Sequence, residues 1–310
     1  MPRFAKRTVL ALLLGFVAPQ APAQDAGERR VIPVSVLDRE GNLVTSLTAA
    51  DFRGEFRGQP VKIVSVTRDT RARRIALLVD TSAGMGRRMD KWRFAWWAAG
   101  YIASKLPETC SLALLTVALG TRRYSGLTTD RVSFEEAFSK AQRQRPLGAT
   151  TLHDGIVEAG RVFSPAEFGD VVFVVSDVED TYSTKTPEEV NTALTKAGVR
   201  AYILLVPGWQ SSDGRKYAQE VSRSLADATG GRVFELQPGR QPSAEIAVKL
   251  EPFLATMLDL YRVEIEFPVH IDKEREWKLE VEGGHGVARQ DLELAYPRLL
   301  VPGASKSTGK

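Results

Sequence analysis

The sequence predicts an α/β protein with a doubly wound, mainly parallel sheet, to which the two ends of the chain add a small antiparallel β domain. Apolar runs such as RIALLVD at residues 74–80 and DVVFVVS at residues 170–176 are continuous, which is typical of strands covered on both faces. Helix-like stretches of about ten or more residues separate these runs, which favours parallel connections. Apolar and polar residues alternate over Tyr261–Phe267, which is typical of an antiparallel strand with one face in water.

The central part of the chain, residues 71–260, is predicted to alternate between strands and helices. The predicted strands are Arg74–Asp80, Cys110–Ala118, Asp170–Ser176, Arg200–Val206 and Arg232–Glu235. The predicted helices are Arg88–Leu106, Ser133–Arg143, Asp154–Phe163, Thr186–Ala197, Lys216–Thr229 and Ser243–Leu260. The first helix is rich in aromatic residues, which we assign mostly to the core, with Trp92 or Trp97 as the candidates for an exposed protein contact.

The two ends of the chain are predicted to form short strands that pair with each other. Residues 24–70 contain the candidates Arg30–Leu37, Asn42–Val44 and Val61–Thr67, separated by turn-forming residues. Residues 261–300 contain the candidates Tyr261–Phe267, Trp277–Val281 and Val287–Leu294. We expect both segments to join in one β domain beside the central sheet, and residues 301–310 to form a disordered tail.

Residues 1–23 are predicted to be a secretory signal peptide. Arg3, Lys6 and Arg7 precede an apolar run over residues 8–17, and Ala21-Pro22-Ala23 has the small-x-small pattern of a cleavage site. The apolar run is too short for a bilayer, which needs about twenty residues, so no membrane span is expected after cleavage. The sequence therefore predicts an exported protein, either periplasmic or secreted.

Charge and cysteine content argue against a nucleic-acid partner and against stabilisation by a disulfide. The formal net charge is +4, of which residues 1–23 carry three, so the remaining chain is close to neutral and has no clear nucleic-acid footprint. Cys110 is the only cysteine, so no disulfide can form within the chain, and its apolar surroundings predict a buried, inert thiol.

Three loops rich in hydroxyl and carboxylate groups are the candidate functional elements. They are Asp80-Thr81-Ser82-Ala83-Gly84-Met85, Gly148-Ala149-Thr150-Thr151 and Asp177-Val178-Glu179-Asp180-Thr181. Two of them follow predicted strands directly, and in an open parallel sheet ligands gather at the carboxyl ends of strands. Oxygen ligands without histidine or cysteine suit a hard divalent cation such as Mg²⁺.

These loops resemble the metal-ion-dependent adhesion site of the von Willebrand factor type A (vWA) family, whose fold is a Rossmann-like doubly wound sheet. Asp80-x-Ser82-x-Gly84 is similar to the family's Asp-x-Ser-x-Ser, Gly148-Ala149-Thr150 to Gly-Gly-Thr, and Ser176-Asp177 to Thr-Asp-Gly. The resemblance implies that four residues hold Mg²⁺, or alternatively Mn²⁺ or Ca²⁺: Asp80, Ser82, Thr150 and Asp177. It also implies that an acidic side chain of a protein partner fills the open coordination position.

The flanking segments resemble the VWFA-related Acidobacterial-type secreted family. The similarity lies in the run VIPVSVLDREGNLV at residues 31–44 and in Tyr261-Arg262 and Trp277–Val281. This resemblance supports the predicted fold and export more than any particular function.

Two residues depart from the vWA pattern. Gly84 replaces the second serine of the motif, which removes one hydroxyl ligand, and Val178 replaces the glycine after Asp177, which we expect to resist a positive φ. Thr151 or Asp154 is expected to compensate if the ion binds. The alternative is a vWA domain without an ion, in which Asp80 and Thr150 serve only as turn and capping residues.

The leading functional hypothesis is therefore an exported, adhesion-type protein-binding module with a degenerate metal site. We expect the partner to contact Gly84, Thr151, Asp154 and Trp209. The alternative is a metal-independent vWA scaffold that binds a protein through the loop of Trp209 or a β edge. An enzyme is disfavoured because hydrolase elbow, phosphate-loop and zinc-protease motifs do not occur and because His153 and Asp154, as helix neighbours, point apart.

Overall fold

The computed structural model describes residues 27–86, 89–206, 211–235, 244–283 and 287–303. The predicted signal peptide, Trp209 and residues 304–310 of the predicted tail lie outside the described residues. Val301, the first residue of that tail, is buried, and its carbonyl accepts a hydrogen bond of 2.7 Å from Arg30 Nη2.

The described chain begins and ends in β structure and alternates strands with helices between these ends. The N-terminal strands are β1 (Glu28–Leu37), β2 (Phe52–Phe56), β3 (Gln59–Pro60) and β4 (Lys62–Asp69), with a 3-10 turn at Ala49–Asp51 before β2. The central elements are β5 (Arg74–Asp80), α1 (Ala83–Gly86), α2 (Met89–Lys105), β6 (Ser111–Ala118), β7 (Gly120–Thr128), α3 (Arg131–Gln142), α4 (Leu152–Gly160), β8 (Val171–Ser176), α5 (Pro187–Ala197), β9 (Arg200–Leu205), α6 (Ser212–Thr229), β10 (Arg232–Glu235) and α7 (Ala244–Leu258). The C-terminal strands are β11 (Leu260–Phe267), β12 (Arg275–Glu276), β13 (Lys278–Gly283), β14 (Val287–Ala288), β15 (Glu293–Ala295) and β16 (Leu299–Leu300).

The central sheet has the strand order β10-β9-β8-β5-β6-β7. All neighbouring strands pair in parallel except β6 and β7, which are antiparallel. The predicted fold class, a doubly wound and mainly parallel α/β sheet, is confirmed. β7 was not predicted, because its sequence GTRRYSGLT carries no apolar run and forms the edge of the sheet.

Both faces of the central sheet are covered, which explains its continuous apolar runs. In β5, Ile75, Leu77 and Val79 pack into one buried cluster, which also contains residues of α2 and α7. Ala76 and Leu78, the alternate residues, pack into a second cluster with residues of α4, α5 and α6. Alternating side chains of one strand therefore face two different helix layers.

The aromatic residues of α2 belong mainly to the first of these clusters. Trp92 and Trp96 are buried there, with ring centroids 5.6 Å apart. Trp97 is only partly buried and stacks on Tyr101. Cys110 is buried as a free thiol.

The two ends of the chain form a β domain, as predicted. β1 pairs antiparallel with β11 over Glu28↔Phe267 to Val34↔Tyr261, and β4 pairs with the other edge of β11. A second small sheet joins the ends again, because β13 pairs with β2. In the described part of the chain, no helix combines the length and the apolar character that crossing a membrane requires.

Candidate functional site

The three predicted loops meet at the carboxyl edge of the central sheet. Ala83 N donates to the carbonyl of Gly148 at 2.9 Å, and Leu147 N donates to that of Thr81 at 3.1 Å. Thr181 N donates to the carbonyl of Thr150 at 3.1 Å. These hydrogen bonds join the loops after β5, before α4 and after β8. We call the four predicted ion ligands in these loops, Asp80, Ser82, Thr150 and Asp177, the rim site.

Asp80 ends β5 and is completely buried. Its Oδ1 accepts a hydrogen bond from Ser82 N at 2.9 Å, and its Oδ2 accepts one from Ser176 Oγ at 2.7 Å. Burial, reinforced by the charge of Asp177, raises the pKa of Asp80 to about 7. A carboxylate in this environment is stabilised in its ionised form by a nearby cation.

The hydroxyl of Ser82 is buried and lacks a hydrogen-bond partner. Ser82 is 1% exposed, and its Oγ makes no hydrogen bond of normal geometry, although its closeness to Asp80 acts to lower that residue's pKa. Leaving a buried hydroxyl unsatisfied costs about 1–3 kcal/mol. The sequence places this hydroxyl among the ion ligands, and its lone pairs remain available for that role.

The side chain of Asp177, immediately after β8, is fully buried and contacts a lysine that the sequence did not single out. Asp177 Oδ1 accepts a hydrogen bond from Glu179 N at 3.3 Å, and Oδ2 forms an ion pair with Lys91 Nζ of α2. Lys91 Nζ also donates to the carbonyl of Gly84 at 3.3 Å. The only signal for this contact in the sequence is a lysine near the start of the helix that follows the first motif.

Glu179 borders the space that the missing motif serine leaves at position 84. A Cβ added to Gly84 would lie 3.2 Å from Glu179 Oε2, 3.5 Å from Ser82 Oγ and 3.8 Å from Asp177 Oδ2. A third carboxylate therefore borders the rim site. The sequence places Glu179 in the third loop but did not identify it as a neighbour of the motif glycine.

Val178 adopts the conformation that we expected it to resist. Its φ is 60°, in the left-handed region that glycine favours, and its side chain is nevertheless buried. Its N–H donates to Ser176 Oγ at 2.9 Å. A β-branched residue with this φ stores about 1–3 kcal/mol of strain, which the packing and this hydrogen bond offset. The expectation was wrong because the buried contacts of the side chain outweigh its backbone preference.

The two residues expected to compensate for Gly84 are engaged elsewhere. Thr151 Oγ1 donates to the carbonyl of Ala118 at 3.0 Å. The carboxylate of Asp154 accepts hydrogen bonds from Thr184 N at 2.9 Å and Lys185 N at 3.2 Å. Burial opposes the effect of these bonds, but they hold the pKa of Asp154 below its usual range. Both residues hold neighbouring backbone in place, so a role in binding a partner stays a prediction.

His153 is buried beside the rim, on α4. Its Nδ1 lies 3.1 Å from the carbonyl of Lys185 and 3.5 Å from Asp180 Oδ2. Asp180 Oδ2 also accepts a hydrogen bond from His153 N at 2.8 Å. The ring therefore contacts the loop after β8 and does not pair with Asp154, in line with the expectation that the two adjacent residues point apart.

The donor atoms of the rim site fit a hard divalent cation in their chemistry. Two buried carboxylates and an unpartnered buried hydroxyl supply the oxygen ligands that such ions prefer. Among the described residues, no group of three acidic, histidine or cysteine side chains is placed to hold an ion. An ion at the rim would therefore depend on hydroxyl groups and water for the rest of its shell.

Comparisons with known proteins give similarities to solved structures alone. No model of a protein family matches the chain, and no curated protein matches it. Among solved structures, a von Willebrand factor type A protein from Catenulispora acidiphila aligns at a TM-score of 0.48 and 14% identity, covering 92% of this chain and 76% of that one. BatB from Bacteroides thetaiotaomicron aligns at 0.47 and 15%, covering 59% of this chain and 98% of that one.

A third solved structure is proximal thread matrix protein 1 of the mussel byssus with a zinc-occupied MIDAS motif. It aligns at a TM-score of 0.48 and 18% identity, covering 64% of this chain and 50% of that one. In this chain the central sheet and the three loops at its carboxyl edge have the arrangement that the motifs predicted.

Proposed function

We propose that this chain is an exported protein-binding module, that its buried rim site holds a divalent cation, Mg²⁺ in the first instance, and that a partner binds at the sheet edge through this cation. The observation that carries this proposal is the unpartnered hydroxyl of Ser82, buried beside the carboxylates of Asp80 and Asp177. Such a set of oxygen donors is expensive to bury unless a ligand satisfies it. The vWA-type fold supports a role in protein interaction.

The chain's own groups have distinct parts in this proposal. Asp80 is held in place by Ser82 N, which donates to Oδ1, and by Ser176 Oγ, which donates to Oδ2. The hydrogen bonds between the loops keep Thr150 beside the loop of Asp177. A bound cation would supply a positive charge with an open coordination position, which an acidic side chain of a protein partner can fill.

Export and the absence of catalysis belong to the same proposal. Export is supported by the basic start, apolar run and cleavage pattern of residues 1–23. A metal-assisted hydrolase would need a general base beside an ion-bound water. Asp154 is held by its own loop, and Glu179 borders the position of the missing serine, so we assign it to contact with an ion or a partner.

Ion titration tests the proposal directly. Calorimetry of the chain without residues 1–23 should show saturable binding of Mg²⁺ or Mn²⁺ that Asp80→Ala abolishes. Asp154→Ala is the matched control, because it removes a carboxylate at the same edge that the proposal leaves out of the site. Equal binding by the wild type and Asp80→Ala would overturn the metal part.

A second measurement tests partner binding. The immobilised chain is incubated with secreted proteins of its source in Mg²⁺ or in chelator, and the proteins retained by the wild type and by Asp80→Ala are compared. A partner retained only by the wild type in Mg²⁺ supports the proposal. A partner whose retention is unchanged by both chelator and Asp80→Ala would contradict metal-dependent binding.

A metal-independent scaffold is the second candidate, and one observation favours it. Lys91 already brings a positive charge to Asp177, so part of the site's charge is balanced without an ion. In this case the contact would lie at the loop of Trp209, outside the described residues. Trp209→Ala would then weaken an interaction that chelator leaves intact.

A further inference from the structure

The ion pair between Lys91 and Asp177 is a buried feature of the rim site that the vWA pattern does not account for. The Lys91 side chain is 10% exposed, and that of Asp177 is 0% exposed. A surface ion pair contributes little, but a buried ammonium is retained only where it is paired and hydrogen-bonded. Lys91 meets both conditions, since it also donates to the carbonyl of Gly84.

The ammonium shares its oxygen partners with the predicted ion site. Asp177 Oδ2, which Lys91 contacts, is 3.8 Å from the position that a Cβ on Gly84 would take. Ser82 Oγ and Glu179 Oε2 lie 3.5 and 3.2 Å from that same position. One small region therefore contains the lysine's partner, the unpartnered hydroxyl and a further carboxylate.

We propose that Lys91 is the resident cation of the rim site and that a divalent ion binds only by displacing its ammonium from Asp177. This inference rests on the proposed function, because it concerns the affinity of the same site for an ion. It assigns control of ion affinity to a residue outside the three motifs.

Charge balance explains why such an exchange is possible. Asp80, Asp177 and Glu179 border the site, whereas Lys91 brings a single positive charge. A divalent ion neutralises more of this charge than one ammonium does and can also bind the hydroxyl of Ser82. The flexible stem of lysine allows its ammonium to leave without movement of the backbone.

The exchange has a measurable consequence for affinity. When a site is open in only a fraction of the molecules, its apparent dissociation constant rises by the reciprocal of that fraction. If Lys91 occupies the site in about nine molecules of ten, removing it should tighten ion binding about tenfold. The same variant should lose thermal stability in chelator, because the buried carboxylate of Asp177 then lacks its ion pair with Lys91.

The first test compares Lys91→Met with Lys105→Met. Lys105 lies on the same helix and pairs with Glu251 at 3.2 Å, but both side chains are about half exposed, so it is the matched control. Mn²⁺ titration should show about tenfold tighter binding by Lys91→Met and wild-type binding by Lys105→Met. Thermal unfolding should show that Mn²⁺ restores the stability that Lys91→Met loses in chelator.

The second test uses the wild-type chain, so it does not depend on the folding of a variant. Amine acylation followed by mass spectrometry gives the reactivity of Lys91 relative to Lys105 in the same molecules. Mg²⁺ or Mn²⁺ at saturation should raise this ratio several-fold, because the displaced ammonium enters solvent.

The outcomes separate this inference from the proposed function. Saturable ion binding that is equal in the wild type and Lys91→Met, with unchanged Lys91 reactivity, would overturn the role of Lys91 and leave the metal site standing. No ion binding by either protein would overturn the metal site and the displacement with it. Tighter binding by Lys91→Met, lost again when Asp80→Ala is added, supports both.

Discussion

The two edges of the central sheet both bury carboxylates, but they neutralise them differently. At the amino edge, Asp170 before β8 pairs with Arg74 of β5, and Asp69 at the end of β4 pairs with Arg71 and Arg73. At the carboxyl edge, Asp177 pairs with the ammonium of Lys91, and buried Asp80 lies beside the charge of Asp177.

The amino edge is built from arginine pairs with several hydrogen bonds each. Arg74 donates to both oxygens of Asp170, at 2.9 and 2.6 Å. Burial alone would raise the pKa of Asp69, but hydrogen bonds from Arg71 and the charge of Arg73 lower it to about 2. Guanidinium groups match carboxylates in geometry as well as in charge, which makes these pairs strong structural ties.

At the carboxyl edge, the pKa of a buried aspartate is shifted in the opposite direction. There the pKa of Asp80 is raised to about 7, because burial and the charge of Asp177 outweigh the hydrogen bonds that it accepts. The same residue type thus stabilises the fold at one edge and is strained electrostatically at the other. An incompletely neutralised, buried carboxylate is the kind of group that a ligand site retains.

The largest effect is expected when the buried ion pair at the amino edge is broken. Asp170→Ala leaves Arg74 without its buried partner, so the free energy of unfolding should fall by about 3–5 kcal/mol. Glu167→Ala is the control, because Glu167 also pairs with Arg74 but its side chain is 67% exposed. Urea denaturation measures both, and equal small losses would show that the amino edge is no stronger than a surface pair.

The second largest expected effect is a gain in stability, and it concerns the carboxyl edge. In the absence of divalent ions, Asp80→Asn should raise the free energy of unfolding by about 2 kcal/mol at about pH 8, because one of two buried like charges is removed. It should also abolish ion binding. Asp177→Asn should destabilise instead, since it leaves Lys91 unpaired. Destabilisation by Asp80→Asn in urea titrations would contradict the contrast between the two edges.

A pH titration sharpens the comparison through Asp69. Its pKa is about 2 in the folded chain, whereas the unfolded value is near 3.8, so the unfolded chain takes up this proton first as the pH falls. Stability from this group is therefore complete above about pH 4 and is lost as the pH falls through about 2.

The lowered pKa of Asp69 should contribute about 1–2 kcal/mol to the free energy of unfolding, because solvent screening weakens the interaction with the exposed Arg71. Urea unfolding of the wild type and Asp69→Asn between about pH 5 and about pH 2.5 measures it. Parallel pH curves for the two proteins would rule out this contribution.

The smallest effect is expected when the missing motif serine is restored at the carboxyl edge. Gly84→Ser adds back a hydroxyl ligand, and only Glu179 must move by a few tenths of an ångström to admit its Cβ. We expect Mn²⁺ to bind about 3–10 times more tightly than to the wild type. Gly84→Ala is the control, since it fills the same space without an oxygen, and an equal gain in both variants would refute ligation by the hydroxyl.

Much of the architecture could be predicted because it depends on local patterns. The run predicted as Asp170–Ser176 became β8, and that predicted as Arg200–Val206 became β9, each within one residue. Continuous apolar runs are a strong signal because burial on both faces leaves no room for polar positions. β7 escaped prediction because an edge strand needs neither face to be apolar.

The site was predicted only in part. The motif spacing indicated which loops carry hydroxyl and carboxylate groups, and the structure brings those loops together. The motif spacing could not show that Lys91 reaches Asp177, 86 positions away along the chain. Nor could it show that Asp154 binds Thr184 and Lys185 and so holds their loop.

The sequence by itself therefore determined most helices and the buried strands of the central sheet, the order in which they alternate and the loops that carry the protein's chemistry. These features depend on periodicity and on the residues that follow each strand. Only the tertiary structure decided the raised pKa of Asp80, the place of Glu179 beside Gly84 and the positive φ of Val178. Electrostatic and packing energies depend on distances between residues far apart in the chain, and these distances exist only once the sheet and its helices have assembled.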